Sequence, residues 1–161
     1  MSIGWIIGIV VLTFIAMEGA AWAMHKYVMH GFLWYLHSDH HRKDHYGVLE
    51  RNDTFFLIFA VPSMCLFLLG SVKGLHTPWL WIGLGILIYG IAYFLVHEVF
   101  IHQRIKWLRN SNNAYFIALR RAHKVHHKHL GKEDGECFGM LWVPLRFFRE
   151  AWRRTKPKQE I

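Results

Sequence analysis

Histidine is the residue type that stands out, with 13 among 161 residues. Ten of them form four groups: His25 and His30; His37, His40 and His41; His97 and His102; His123, His126 and His127. Neutral imidazole is a common metal ligand, so the spacing within each group matters. An α-helix advances about 100° per residue. H-x2-H-H then puts its outer pair within about 40° and its first pair within about 60°, with three rings on one face. His40 and His41 still diverge by about 100°, which suits two ions lying side by side, and the same holds for His126 and His127. The five-residue spacings of His25/His30 and His97/His102 give about 140° on an α-helix, an angle that lets two rings straddle a cluster or address different members of it. Uncompensated, such crowded imidazoles repel when protonated and lose hydration when neutral, whereas a shared metal satisfies them all. Ten nitrogens supply two metals with four or five ligands each, more than the about four of a structural zinc site. Imidazole suits zinc, copper, nickel and iron alike, so these spacings leave the metal open. The 11 Asp and Glu form no matching ligand set. His45, His76 and His129 fall outside the pattern and are read as ordinary polar residues.

The elements that must carry these groups are apolar. Hydrophobic residues make up 53% of the chain and are gathered into long uncharged blocks, which excludes a disordered chain, a coiled coil or a secreted disulfide scaffold. Residues 1 to 17 bear no charged side chain, and after Glu18 the apolar run continues to Met24. A second block runs from Thr54 to Val72 with Pro62 inside it, and a third from Pro78 to Val96. Each is about one bilayer span, and a membrane helix accommodates a proline kink. The expected fold is an all-α integral membrane protein, residues 1–161 forming one domain. Three transmembrane helices, at about 3–24, 54–72 and 78–97, extend into a His-rich helical cap of residues 25–53 and 98–155 that holds a dimetal site. A fourth, shallow membrane segment around Phe138 to Phe148 is the open alternative. The first block lacks the basic flank and cleavage site of a signal peptide.

Eighteen of the 19 Lys and Arg fall on one side of a three-span chain, only Lys73 lying opposite. That side is expected to be the cytoplasm, with twelve of the 13 His on or within a turn of it, and the N-terminus and the Lys73–Thr77 loop outside. The formal charge of +8 then reads as the positive-inside signature plus contact with anionic lipid. The basic segments carry no nucleic-acid-binding motif.

Other residues carry weaker signals. Glu98, beside His97, is a candidate to orient that imidazole through a hydrogen bond, or marks the end of a span. Asp53 is a candidate carboxylate to support a ligand imidazole from behind, though Asn-Asp before Thr54 reads more simply as a helix N-cap. Glu18, ionisable inside a span, is a functional candidate or finds a polar partner near the cytoplasmic end. Phe32, Trp34 and Tyr35 form either a substrate lip or, more simply, an interfacial anchor. Cys65 reads as packing, and it and Cys137 do not suggest a disulfide or a zinc knuckle.

The segments HKYVMHG (25–31), HSDHH (37–41), LERND (49–53), HEVFIHQR (97–104), AHKVHH (122–127) and FGMLWVP (138–144) together resemble the bacterial beta-carotene hydroxylases, within the fatty acid hydroxylase and sterol desaturase superfamily of membrane-bound diiron enzymes. The resemblance covers nearly the whole chain. It implies an oxidoreductase that hydroxylates C3 of the β-ionone ring, taking β-carotene through β-cryptoxanthin to zeaxanthin with O2 and electrons from ferredoxin or a similar carrier. It also implies two iron ions, which zinc can replace in purified protein, on His25, His30, His37, His40, His41, His97, His102, His123, His126 and His127. The enzyme would lie in the bacterial inner membrane with its His cluster on the cytoplasmic side, the carotenoid entering from the lipid. Related activities remain as alternatives: a carotenoid ketolase, or a fatty acid or sterol hydroxylase or desaturase. A transition-metal transporter is the reading from another class; it calls for ligands along the spans, which the second and third blocks lack. The oligomeric state, the electron donor and the preferred ring substrate are not legible.

Overall fold

The structure is a computed structural model that describes residues 1–42, 47, 49–107 and 110–155. The described residues are helical or irregular, with no strand among them. Helix α1 (Ile3–Ala23) runs directly into a π-helical stretch, Met24–Phe32, and is followed by α2 (Trp34–Arg42). A 3-10 turn, Arg51–Thr54, leads into α3 (Phe55–Lys73), which continues unbroken across Pro62. Helix α4 (Trp79–Phe94) passes into a second π-helical stretch, Leu95–Ile101. Helices α5 (Ala114–His126) and α6 (Leu145–Thr155) complete the chain.

Three helical runs, Ile3–Phe32, Arg51–Lys73 and Trp79–Ile101, are long and apolar enough to cross a membrane. Their sequences are apolar all round, as expected where lipid covers the outer face, and large side chains such as Trp5, Leu12, Phe56, Val61, Leu68 and Ile91 stand exposed on them. Between helices that share an apolar solvent, close backbone approach does the packing. Helix α4 lies against both α1 and α3. An added Cβ on Gly85 would meet Thr13 of α1 at 2.6 Å, and one on Gly70 of α3 would meet Leu80 at 2.5 Å. Any larger residue at either position would push the helices apart. Ser63 donates across the α3–α4 seam to the carbonyl of Gly83 at 3.0 Å.

The region of the expected fourth segment is not a membrane helix. Residues 138–144 form an irregular strap, and α6 behind it is amphipathic: Phe147 and Ala151 are buried against Ala118, Leu119 and Ala122 of α5, while Arg146, Arg153 and Arg154 are exposed. Helix α5 is capped by Asn113, whose side chain accepts from the backbone N–H of Tyr115 at 2.9 Å, a favoured N-cap arrangement. The helices α2 and α5 and the two π-helical stretches together surround the histidines.

Candidate metal centre

All ten patterned histidines come together at one end of the apolar helices. His25, His30, His37, His41 and His126 have ring nitrogens within 4.8 Å of one another, and His40, His97, His102 and His123 form a second such set. His127 joins the second set from its edge, with its Nε2 2.8 Å from Nε2 of His123 and its ring stacked on His41 at 4.5 Å. Each H-x2-H-H run divides between the sets. His37 and His41 face one and His40 the other; His126 faces the first and His123 the second.

The two H-x4-H pairs are placed by geometry that an α-helix does not have. Both start in the π-helical stretches, where the chain bonds i to i+5; the N–H of His102 donates to the carbonyl of His97 at 2.9 Å, and that of Leu33 to Val28 at 3.0 Å. Residues five apart then stack as residues four apart do on an α-helix. The ring centroids of His25 and His30 are 5.3 Å apart and those of His97 and His102 4.5 Å. Each pair therefore serves one set, instead of straddling both as an α-helical angle of about 140° implies.

The ring tautomers are fixed from outside. His25, His30, His41 and His126 donate Nδ1–H to the backbone carbonyls of Phe138 (3.1 Å), Lys132 (3.1 Å), His129 (2.9 Å) and Glu136 (2.8 Å). His37 donates to Asn52 Oδ1 at 2.6 Å, His40 to Glu50 Oε2 at 2.6 Å and His97 to Glu98 Oε1 at 2.5 Å. With the proton on Nδ1, each Nε2 presents a lone pair. Burial also holds the imidazoles of His37, His40, His41, His123 and His126 below their ordinary value, His41 to about 4, with neighbouring rings lowering them further, so they are neutral at pH 7.

These lone pairs point at one another. Nε2–Nε2 separations among these rings are 3.2–3.3 Å in four pairs across the two sets. Two acceptors face to face repel unless a cation sits between them. Two nitrogens each about 2.1 Å from one ion are about 3.0 Å apart at a right angle and about 3.4 Å apart at a tetrahedral angle. The separations match that spacing, and the donor set fits two transition-metal ions held by imidazole.

What surrounds the two sets differs. Behind the second lies a charged clamp: Arg104 contacts Glu98 Oε2 at 2.7 Å, Glu50 Oε2 at 2.9 Å and Asp53 Oδ1 at 3.0 Å. Behind the first lie Asn52 and peptide carbonyls of residues 129–138. Glu98 thus touches a ring, whereas Asp53 reaches the rings only through Arg104. Asp53 also occupies the third position of the 3-10 turn, not its N-cap, and accepts from the backbone N–H of Glu50 at 2.9 Å. Glu50, Asn52 and Arg104 escaped notice in the sequence, although Glu50 and Asn52 sit within LERND. Glu18 does find partners: Tyr89 and the backbone of residues 140–142.

Of the aromatic trio, Phe32 and Tyr35 are exposed, but Trp34 turns inward and lies 5.0–5.8 Å from the rings of His30, His37 and His41. His76 is exposed in the loop between α3 and α4, far along the chain from any ring of either set. His129 contributes its carbonyl to His41, and His45 lies outside the described residues. Cys65 is exposed on α3 instead of packed inside, and Cys137 is half-buried in the strap.

Comparison with known proteins places this arrangement. Residues 10–145 match the family model described as fatty acid hydroxylase. The chain is similar to a beta-carotene hydroxylase of Pantoea ananas, 41% identical over 87% of this chain and 78% of that one. It is also similar to the beta-carotene hydroxylase of Paracoccus sp. (strain PC1), at 38% over 84% and 83%. A chloroplastic beta-carotene 3-hydroxylase of Gentiana lutea is 38% identical over 87% of this chain, but over only 46% of its own length. No solved structure matches. The two histidine sets at the end of three apolar helices, with the match over most of the sequence, show that this chain belongs to the fatty acid hydroxylase family.

Proposed function

We propose that the chain is a membrane-bound non-haem diiron monooxygenase, a beta-carotene 3-hydroxylase, built as one domain in the bacterial inner membrane. It adds a hydroxyl group to C3 of a β-ionone ring, converting β-carotene to β-cryptoxanthin and then zeaxanthin. The balance is one C–H bond and O2 with two electrons and two protons giving one C–OH and one water. The electrons come from ferredoxin or a similar one-electron carrier. The observation that carries the reaction class is the pair of all-imidazole sets whose Nε2 atoms face one another. The substrate rests on the relatives, bacterial and plant, named as acting on β-carotene.

In this reading all ten histidines are ligands. His25, His30, His37, His41 and His126 hold one iron; His40, His97, His102, His123 and His127 hold the other. Bound iron supplies the redox chemistry with O2 that a protein side chain cannot. The chain's own residues do the rest. Glu98 and Glu50 hold protons at Nδ1 of His97 and His40, which keeps Nε2 basic. Phe138 lies 5.1–5.4 Å from the rings of His25, His30 and His126, excluding water from that side. It also lines an open cavity of about 320 Å³ with Trp22, Gly139, Trp142 and Pro144. An apolar ring entering from lipid can lodge there beside the centre. The Lys and Arg asymmetry supports a cytoplasmic face for the histidines in this reading, the side from which a soluble electron donor would reach them.

Pigment chromatography of a β-carotene-producing host tests the reading. The expected product is a polar dihydroxy pigment, with the monohydroxy pigment rising first, because the histidines occupy one membrane face and a carotenoid nearly spans the apolar core of about 30 Å. A red ketone would assign a ketolase, and unchanged pigment would overturn the carotenoid assignment.

A further inference from the structure

Glu18 sits inside the first apolar helix, a place where a carboxylate is costly unless it is used. Both of its oxygens are acceptors. Oε1 receives the backbone N–H groups of Met140 (2.9 Å), Leu141 (3.0 Å) and Trp142 (2.9 Å), and Oε2 receives the Tyr89 hydroxyl at 2.7 Å. Three consecutive peptide donors thus end on one side chain. Leu141 meanwhile packs on Met17, Ala21 and Tyr89, so the strap is drawn into the apolar layer, where peptide groups need protein partners.

The same strap orients ligand rings. Phe138, two residues before Met140, gives its carbonyl to His25, and Glu136 gives its carbonyl to His126. Cys137 between them has φ +59°, a left-handed conformation that non-glycine residues adopt only when their surroundings enforce it. Gly139 makes the turn that follows: a Cβ there would lie 2.2 Å from the Trp142 carbonyl and 3.3 Å from Glu18 Oε1.

We infer that Glu18 is a positioning residue for the metal of the five-histidine set, acting through the 136–142 strap whose carbonyls fix the rings of His25 and His126. It touches neither ring nor substrate. Without the carboxylate, the three N–H groups pull the strap toward water, the two carbonyls leave their rings, and those rings are free to turn. The second set draws its support from Glu50, Glu98 and Arg104, so the effect is confined to one metal. This inference rests on the reading of the ten histidines as ligands of two ions.

The test is iron content and 57Fe Mössbauer spectroscopy on detergent-purified full-length protein loaded with ferrous iron. His126→Ala and His97→Ala supply the reference spectra of chains that have lost one or the other metal. Glu18→Ala is expected to fall from two irons toward one per chain and to lose the signal lost in His126→Ala. Gly139→Ala, which leaves Glu18 in place but presses the strap away, should do the same. Glu18→Gln should keep both irons, since its amide oxygen serves the strap while its NH2 group turns to the Tyr89 oxygen. Tyr89→Phe, which frees only the α4 side of the carboxylate, should also keep both.

Two irons with an unchanged spectrum in Glu18→Ala would overturn the inference, as would equal loss of both signals. Failure of Glu18→Ala and Gly139→Ala to be recovered folded, beside a normal Glu18→Gln, would assign Glu18 to folding and overturn it as well. If instead the ligand reading is at fault, the parent protein itself binds fewer than two irons and His126→Ala changes nothing, a result distinct from an insensitive Glu18.

Discussion

The two histidine sets are near copies in ligand type and opposites in what stands behind them. In the set of His40, His97, His102 and His123, two rings donate to carboxylates, and Arg104 locks both carboxylates together. In the set of His25, His30, His37, His41 and His126, every ring donates to a neutral oxygen. A carboxylate behind an imidazole raises its basicity and favours the more positive metal. A peptide carbonyl gives orientation with less charge, and its position depends on the fold of the segment that carries it. One set is therefore tuned by side-chain electrostatics and the other by backbone placement, so metals bound in the two should differ in affinity and potential.

With the ten histidines as the proposed ligands, removing one ring from each set is the largest perturbation. His40→Ala and His126→Ala should each lower hydroxylation by at least about 100-fold, with one iron lost per chain, because an open position weakens the remaining ligands' hold. Pigment turnover and iron analysis check this. His76→Ala, in the α3–α4 loop, should leave both at parent levels. Retention of full activity with bound metal in His40→Ala would break the division into two sets.

The clamp comes next in size. Arg104→Gln and Glu98→Gln should weaken iron binding at the second set by about 10- to 100-fold, the range for losing a hydrogen-bond partner behind a ligand ring, and leave the first set filled. Competition with a ferrous chelator, followed by Mössbauer spectroscopy, separates the two positions. Equal weakening of both positions would mean that the clamp supports the fold in general and not one metal.

What the amino-acid sequence displays follows the same divide. The ten histidines and the three apolar helices were legible because composition and spacing are side-chain properties. The π-helical placement of His25/His30 and His97/His102 was not, since a shift from i+4 to i+5 bonding is decided by tertiary packing and leaves the same letters in the chain. Arg104 looked like one more cytoplasmic charge; only its contacts with Glu50, Asp53 and Glu98 give it a particular role. Glu18 was conspicuous as a charge in an apolar run, yet its partners are mostly backbone N–H groups, which every residue has and no sequence displays. The carbonyls of Lys132, Glu136 and Phe138 were hidden for the same reason.

Asn52 offers the finest test of the comparison, because one atom separates its side chain from a carboxylate. Its Oδ1 accepts from Nδ1 of His37 at 2.6 Å in a buried position. Asn52→Asp keeps the acceptor and brings to the first set the kind of charge that Glu50 and Glu98 bring to the second. The His37 ring becomes more basic, so the first-set iron should resist a ferrous chelator by a further factor of about 3 to 10, at or below the lower end of what a hydrogen-bond partner behind a ligand ring contributes. Its Mössbauer parameters should also shift toward those of the second-set iron. Asn52→Ala removes the acceptor altogether and should move chelator resistance the other way. The expected order is Asp above Asn above Ala at the first set, with the second set constant throughout. If Asp and Ala instead weaken the first-set iron equally, shape rather than charge is what Asn52 contributes, and the contrast between the sets would reduce to geometry.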